Sequence, residues 1–137
     1  MKVSEFLKAA KELIASDDTW CKGTFEHVPT IFNGIRWVTG PTQYCSIGAL
    51  EHVRNEVNPE PFRSAMGYLT LATELVTSGL THQVSAFNDA SSHAEVMAMW
   101  DKAIELAETD EMWLELKSSL LDSRTDSAFE YEICSQS

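Results

Sequence analysis

Apolar residues recur at intervals of three and four along most of this chain, a spacing that places them on one face of an α-helix. The first such stripe comprises Val3, Phe6, Leu7, Ala10, Leu13 and Ile14. Similar stripes follow over residues 46–57, 62–76, 94–107 and 110–120. A chain of 137 residues, 44% of them hydrophobic, is long enough to bury a sizeable core. The sequence therefore predicts a mainly α fold, a bundle of about five helices.

The clearest helix start lies at Ser92, where Ser-x-x-Glu over residues 92–95 has the spacing of a capping box. In that motif the serine hydroxyl accepts a hydrogen bond from the glutamate N–H, and the glutamate carboxylate accepts one from the serine N–H. We therefore expect a helix over residues 92–107. Asp110 is expected to cap a separate last helix that carries Met112.

A β-hairpin is predicted near residues 30–38, where Asn33-Gly34 separates two short runs of β-prone residues. Asparagine and glycine tolerate the positive φ that a type I′ turn needs at both central positions. Because an isolated hairpin is marginally stable in water, we expect it to pack on the helices. An irregular loop is the alternative.

The domain organisation follows from these elements. Residues 1–121 are interpreted as a single helical domain that carries the hairpin. Residues 122–137 are interpreted as an acidic C-terminal tail or a short strand, since Phe129, Tyr131 and Ile133 alternate with glutamates. That segment is a third strand for the hairpin or a flexible tail.

The chain is acidic, with a formal net charge of −11. This charge disfavours binding to nucleic acid or to an anionic membrane, both of which attract basic surfaces. From Glu108 onward there are eight acidic residues against Lys117 and Arg124. Such a segment is typical of a solvated helix face and tail, and the alternative is a patch for a basic partner, including mimicry of nucleic acid.

The three cysteines, Cys21, Cys45 and Cys134, form no C-x-x-C motif and no evident disulfide framework. With no signal peptide at the start and no apolar run near the ~20 residues that span a bilayer, this favours a cytoplasmic protein. No spacing resembles a zinc site, although Cys21, His27, Cys45, Asp89 and His93 are the residue types that bind metals. We predict no metal and no cofactor.

Cys45 is the first candidate for chemistry, because it lies where a loop enters the second predicted helix. Free N–H groups and the helix dipole at such a position favour a thiolate, which is a nucleophile. A catalytic thiol also needs a base, and His93, with Asp89 or Asn88 in support, could serve only if the fold brought it close. The alternative is a small buried cysteine.

Asn88 and Asp89 are the second candidate, in a segment that precedes the helix at Ser92. Such residues commonly organise a turn by accepting hydrogen bonds from backbone N–H groups. The functional alternative is a polar cluster that lines a ligand pocket, with both side chains facing outward at the helix N-terminus. Trp20 and Gly23 are the corresponding ligand-binding candidates after the first helix, where Trp20 could equally cover the edge of the core.

These motifs together resemble a family of small uncharacterised proteins from actinobacteria and their phages. The resemblance rests on W-x-x-G at residues 20–23, C-x-x-G-A at 45–49, and a hydrophobic residue followed by Asn-Asp at 87–89. It spans roughly residues 3–107 and implies no activity. The positions that match the recurring pattern are Trp20, Gly23, Cys45, Gly48, Ala49, Asn88 and Asp89.

The small size, the acidity and the lack of a complete catalytic motif favour a binding or accessory protein over an enzyme. It would be phage-encoded and would engage a host protein or a small molecule. The first alternative is a cysteine-dependent hydrolase or transferase that uses Cys45. The second is an acidic mimic of nucleic acid.

Overall fold

The computed structural model describes residues 2–56 and 61–123. The first part begins with helix α1, Val3–Leu13, and a 3₁₀ turn, Asp17–Thr19. Four short strands follow: β1 Glu26–His27, β2 Thr30–Phe32, β3 Trp37–Thr39 and β4 Gln43–Tyr44. Four further helices follow: α2 Ser46–Glu56, α3 Phe62–Val76, α4 Val84–Ala90 and α5 His93–Ser123. The predicted fold class is confirmed, because the described residues form a mainly α structure of five helices with a small hairpin.

Residues from the predicted apolar faces of α1, α2, α3 and the first part of α5 form the core, whereas the face predicted over residues 110–120 is exposed. From α1, Phe6, Leu7 and Ala10 are fully buried, as is Ile14 directly after the helix. From α5, the stripe from Val96 to Ala107 is buried in the same cluster as Leu50 of α2 and Leu69 of α3. Helical periodicity identified these residues because most of the stabilisation of a helix in a protein comes from burying one apolar face.

Two details of the helices differ from the prediction. The segment Val84–Ala90 is a helix of its own, α4, although its seven residues are too few to give a clear apolar period. The predicted separate helix at Asp110 is wrong, because α5 continues through this position to Ser123. No glycine or proline occurs within α5, so nothing in its sequence ends the helix at Ala107.

The capping box at the start of α5 is confirmed. The Ser92 Oγ accepts a hydrogen bond from the Glu95 N–H at 3.2 Å, and the Glu95 carboxylate accepts one from the Ser92 N–H at 2.9 Å. The Ser92 N–H, and next the Ser92 hydroxyl, lower the pKa of the Glu95 carboxylate below its ordinary value. The start of α5 is thereby fixed by local hydrogen bonds.

The strands form two antiparallel pairs, β1 with β4 and β2 with β3. The hairpin β2–β3 pairs Thr30 with Thr39, Ile31 with Val38 and Phe32 with Trp37, as the sequence predicted for residues 30–38.

The predicted type I′ turn in this hairpin is wrong. Only Gly34, with φ +98°, has the positive φ that such a turn requires at both central positions. The Asn33 side chain instead accepts hydrogen bonds from the N–H groups of Ile35 and Arg36, each at 3.0 Å. Asn33 closes the turn through its side chain, and this removes the need for a left-handed backbone at that residue.

The chain divides into two compact units, Met1–Ala107 and Glu108–Ser137. The first unit contains the buried core and all four strands. In the second unit the described residues belong to α5, and its large apolar side chains are exposed: Met112, Trp113, Leu114, Leu116, Leu120 and Leu121. The predicted tail or strand at residues 122–137 lies almost entirely outside the described residues, and the predicted domain boundary at residue 121 stays a prediction. None of the described helices is long and apolar enough to cross a membrane.

Candidate functional site

The side chain of Asn88, in the last turn of α4, is fully buried and joins three parts of the chain. Its Oδ1 accepts hydrogen bonds from the Trp20 indole N–H at 2.8 Å, the Ser46 N–H at 3.0 Å and the Ser46 hydroxyl at 2.8 Å. Its Nδ2 donates to the Cys21 carbonyl at 3.0 Å and to the Asp89 carboxylate at 3.2 Å. All the hydrogen-bonding capacity of the Asn88 amide is therefore used inside the protein.

Ser46, the first residue of α2, extends this network to α5. Its hydroxyl oxygen accepts a hydrogen bond from the Trp100 indole N–H at 3.0 Å, and both residues are fully buried. We call the residues Trp20, Ser46, Asn88 and Trp100 the Asn88 clamp. A buried polar network is stabilising only when every member is satisfied, and each donor of this clamp has an acceptor.

Asp89 holds the turn that contains Gly23. The Asp89 Oδ1 accepts a hydrogen bond from the Gly23 N–H at 2.9 Å. Gly23 has φ +78°, a conformation that glycine adopts without steric cost. In the W-x-x-G motif, the Trp20 indole N–H therefore donates to Asn88 and the Gly23 backbone N–H donates to Asp89.

The structure brings together the ligand-binding residues predicted from the sequence, namely Trp20, Gly23, Asn88 and Asp89. The outward orientation expected for Asn88 is wrong, whereas Asp89 is exposed as expected. Asn88 and Asp89 lie at the C-terminal end of α4, not in a loop, and the Asn88 side chain points into the interior. A seven-residue helix places Asn88 on the same face as Val84, which is also buried.

Cys45 lies between β4 and α2, and only 4% of its surface is exposed. Its Sγ accepts a hydrogen bond from the Gly48 N–H at 3.3 Å, and its carbonyl accepts the first bond of the helix from the Ala49 N–H. Burial raises the pKa of the Cys45 thiol, and Asp89 raises it further, whereas the N–H groups of Gly48 and Ile47 lower it; the net shift is upward. A thiol in this state is mainly protonated at neutral pH.

His93 has partners other than Cys45. Its Nε2 lies 2.7 Å from the carbonyl oxygen of Ile14, and its Nδ1 lies 4.0 Å from the Asp17 carboxylate. Its ring packs against the Trp20 indole with centroids 5.4 Å apart. Among the described residues, no hydrogen bond joins Cys45 to His93. A catalytic role for Cys45, His93 and Asp89 stays a prediction, which the raised pKa of Cys45 does not favour.

Gly48 of the C-x-x-G-A motif allows a close contact between α2 and the segment before β1. A Cβ atom at this position would lie 1.8 Å from the carbonyl oxygen of Phe25. That oxygen accepts a hydrogen bond from the Cys45 N–H at 3.2 Å. Any side chain at Gly48 would push the Phe25 backbone away from the start of α2, and Ala49, fully buried in the core, completes the motif.

A surface cleft of about 480 Å³ lies beside the clamp. It is lined by Asp17, Trp20, Cys21, Lys22, Thr24, His27 and Gln43. The Lys22 ammonium lies over the Trp20 ring, 5.4 Å from its centroid. Within the described residues, no group of three or more histidine, cysteine, aspartate or glutamate side chains is arranged to hold a metal ion.

The hairpin and the segment that leads into it present large apolar side chains to solvent. We call this set the apolar hairpin surface: Phe25, Val28, Ile31, Phe32, Ile35 and Trp37. Ile35 is 87% exposed and Trp37 is 68% exposed, and the Phe32 and Trp37 rings pack together with centroids 5.4 Å apart. The expectation that the hairpin packs on the helices is wrong for these side chains. Sequence reasoning missed this surface because β-prone residues were assumed to be buried.

Comparison with known proteins identifies the N-terminal unit. No curated protein and no solved structure shows significant similarity to the chain. A family of unknown function matches residues 1–106, which end next to the boundary between the two compact units. The match covers the clamp, Gly48, the hairpin and the cleft. On this evidence, the chain belongs to the DUF6197 family, a family of unknown function.

Proposed function

We propose that this chain is a protein-binding accessory protein that docks on its partner through the apolar hairpin surface. The observation that carries the proposal is the exposure of a set of large apolar side chains on one short segment. Monomeric proteins rarely leave such side chains clustered at the surface, and clusters of this kind mark interaction sites. Tryptophan is also enriched among the residues that dominate binding energy in interfaces.

The charge of the hairpin segment indicates what kind of partner it fits. Residues 25–41 contain one acidic and one basic residue, Glu26 and Arg36, so the segment is neutral in a chain of net charge −11. Binding here would be driven by burial of apolar area, not by charge. The partner surface is therefore apolar and uncharged, and binding should change little with salt concentration.

Backbone hydrogen bonds hold the hairpin in the conformation that would bind the partner. The Gly40 N–H donates to the Pro29 carbonyl at 2.8 Å, and the Asn33 N–H donates to the Arg36 carbonyl at 3.0 Å. Below the hairpin, the contact of Phe25 with Gly48 attaches the segment to α2. A preorganised binding segment loses less conformational entropy on association than a flexible one.

The motif residues support this assignment by their structural roles. Trp20, Gly23, Asn88 and Asp89 use their polar groups on one another or on neighbouring backbone. In this proposal they form the frame that presents the hairpin. The resemblance to actinobacterial and phage proteins extends the proposal to a partner within the bacterial cell, a host protein where the gene is phage-borne.

The test is site-specific photo-crosslinking of the full-length protein in a lysate of its source organism. A photoreactive residue is placed at Ile35, which is 87% exposed, and in a second variant at Leu80, which is 89% exposed and lies outside the hairpin. We expect one discrete crosslinked partner from position 35 and none from position 80. The crosslink should persist in 0.5 M NaCl, a concentration at which charge interactions beyond about 5 Å are screened.

A matched substitution completes the experiment. Trp37→Ser in the variant labelled at position 35 should abolish the crosslink, because it removes the largest side chain of the surface. Equal crosslinking from both positions, or a crosslink that survives Trp37→Ser, would overturn the proposal. Loss of the crosslink on charge neutralisation of Glu111 and Glu115, with no effect of Trp37→Ser, would favour the acidic-mimic hypothesis instead.

A further inference from the structure

Two cysteines, Cys21 and Cys45, lie on neighbouring segments of the backbone, and Cys21 lines the cleft. A parallel β-bridge pairs Trp20 with Tyr44, and the Cys21 N–H donates to the Tyr44 carbonyl at 3.0 Å. The next residues in this register are Cys21 and Cys45. Neighbouring strands lie about 5 Å apart and their paired side chains project to the same side. That spacing is within the Cα separation of about 4.4–6.8 Å found in disulfides.

The two thiols share one electrostatic environment, which supports their proximity independently of the backbone register. Burial, together with the charges of Cys45 and Asp89, raises the pKa of Cys21 from 9.0 to about 11. Asp89 likewise raises the pKa of Cys45, after burial. A single carboxylate thus acts on both sulfur atoms, and the charge on one sulfur acts on the other.

Access to the two sulfur atoms differs. Cys21 is partly exposed and lines the cleft, whereas Cys45 is buried and does not line it. The Cys21 Sγ has one weak hydrogen bond, to the Thr24 carbonyl at 3.5 Å. A small molecule that enters the cleft therefore meets Cys21, whereas Cys45 is shielded from solvent.

We propose that Cys21 and Cys45 form a reversible oxidation site that reacts with hydroperoxides and closes as a disulfide. The Cys21 thiolate attacks the terminal oxygen of the hydroperoxide, the O–O bond breaks, and the alcohol or water leaves. Cys21 becomes a sulfenic acid. The Cys45 thiolate then attacks the Cys21 sulfur and releases water, so that two thiols are oxidised by two electrons while one hydroperoxide is reduced.

The disulfide would enclose residues 22–44, the segment that contains all four strands and the apolar hairpin surface. A covalent link across the base of this segment restricts the unfolded chain and fixes the strands to the start of α2. Oxidation would therefore stabilise the strand region against local opening. This inference rests on the cysteine pair and is independent of the partner proposed for the hairpin.

The experiment is oxidation of the full-length protein with hydrogen peroxide, followed by peptide mapping without reduction. We expect a Cys21–Cys45 disulfide, reversal by dithiothreitol, and a thermal midpoint higher by roughly 5 °C in the oxidised protein. Cys134 is the internal control, and Cys134→Ser should form the same disulfide at the same rate. A disulfide to Cys134, only intermolecular disulfides, or no disulfide would overturn the proposal.

Two measurements separate this route from nonspecific oxidation. In Cys45→Ala the reaction should stop at a Cys21 sulfenic acid that dimedone traps, and in Cys21→Ser no sulfenic acid should form at Cys45. Below pH 11 the rate should rise about tenfold for each pH unit, because the fraction of Cys21 thiolate rises by that factor. Dimedone labelling of Cys45 in Cys21→Ser, or a rate independent of pH between 7 and 9, would contradict the order of steps.

Discussion

The Asn88 clamp and the apolar hairpin surface both contain large aromatic residues, but the surroundings of these residues differ. In the clamp, both indole N–H groups donate to buried acceptors, Trp20 to Asn88 and Trp100 to Ser46. On the hairpin, Phe32 and Trp37 pack on each other and face solvent. Trp20 and Asn88 of the clamp belong to the motif pattern that sequence reasoning singled out, whereas Ser46, Trp100 and the hairpin residues do not.

The comparison distinguishes residues that stabilise the fold from residues that are available to bind a partner. A fully satisfied buried network stabilises one arrangement of helices and leaves no polar group for a ligand. An exposed apolar pair contributes little to the fold and keeps its area available for a partner. We therefore expect substitutions in the clamp to change stability and substitutions on the hairpin to change binding. The predictions below test that division, in order of the expected change in the free energy of unfolding.

The largest effect is expected for Asn88→Ala. It removes the acceptor of the Trp20 indole and of both Ser46 donors, and each buried donor left without a partner costs about 1–3 kcal/mol. We expect the free energy of unfolding to fall by about 4 kcal/mol in urea denaturation. Asp89→Ala is the comparison variant with a smaller expected effect. Its main loss is the hydrogen bond from the Gly23 N–H, so its free energy of unfolding should fall by about 1 kcal/mol. Equal losses for the two variants would contradict a central role of Asn88.

The next effect is expected for Gly48→Ala. Its Cβ would lie 1.8 Å from the Phe25 carbonyl oxygen, which is backbone and moves only with its segment. We expect a loss of about 3 kcal/mol in the free energy of unfolding.

Gly67→Ala is the matched control for Gly48→Ala, because Gly67 lies within α3 and its Cβ would meet no other atom within 4 Å. Alanine has the higher helix propensity, so this variant should be more stable by about 1 kcal/mol. A Gly48→Ala variant as stable as the wild type would show that the Phe25 segment is not held against α2.

The reactivity of the Cys21 and Cys45 thiols tests whether their ionisation is suppressed. With a pKa raised from 9.0 to about 11, Cys21 has about 100-fold less thiolate at pH 7 than an ordinary cysteine. Cys45, whose pKa is also raised, should alkylate slowly at pH 6–7. The measurement is iodoacetamide labelling of each cysteine against pH in Cys134→Ser. Fast labelling of Cys45 at pH 6–7 would instead support the cysteine-dependent enzyme hypothesis.

The raised pKa values also predict how stability depends on pH. A thiol whose pKa is raised in the folded state favours folding below its unfolded pKa, and this contribution is lost as pH rises through the folded pKa. The wild type should therefore lose stability between about pH 9 and 11. Cys21→Ser should lose less over the same range in denaturant titrations. An identical pH dependence of the two proteins would argue against burial as the cause of the shift.

A smaller effect is expected for Ser92→Ala at the start of the helix that carries Trp100. Loss of the N-cap bond to the Glu95 N–H should cost about 1 kcal/mol in urea denaturation. Because the pKa of Glu95 is lowered, its contribution is present above pH 4.5 and is lost as pH falls through its folded value. Ser118→Ala, at an exposed position within α5, is the control and should change stability by less than about 0.5 kcal/mol.

The smallest effect on stability is expected for Trp37→Ser. Its side chain is 68% exposed, so its removal should change the free energy of unfolding by about 0.5 kcal/mol, the worth of one cross-strand aromatic pair. Binding of the partner should nevertheless be lost. A loss of stability as large as that of Asn88→Ala would show that the hairpin belongs to the core, and would remove the distinction between the two regions.

Helical periodicity predicted most of the fold from local information. The buried faces of α1, α3 and the first part of α5 follow from apolar spacing, and the start of α5 follows from Ser92 and Glu95. Such features depend on residues within a few positions of one another, so a single sequence contains them. The short helix α4 was missed because seven residues do not establish a period.

The candidate site was predictable only as a set of residues. The motifs identified Trp20, Gly23, Asn88 and Asp89, and the structure places them together. Their roles depend on bonds between residues far apart in sequence, such as Trp20 with Asn88 or Ser46 with Trp100. No local pattern reports whether an asparagine side chain faces the interior or solvent. The predicted outward orientation of Asn88 was wrong for this reason.

The sequence by itself determined the helical class, the hairpin at residues 30–38, the net charge and the motif positions, because each is set by composition or by neighbouring residues. Tertiary structure alone decided that Asn88 accepts hydrogen bonds from Trp20 and Ser46, that the Phe25 carbonyl packs closely against Gly48, and that Trp37 stays in solvent. The physical reason is that burial and hydrogen-bond pairing are properties of segments brought together by folding, and the same side chain serves as core or as surface according to what packs against it.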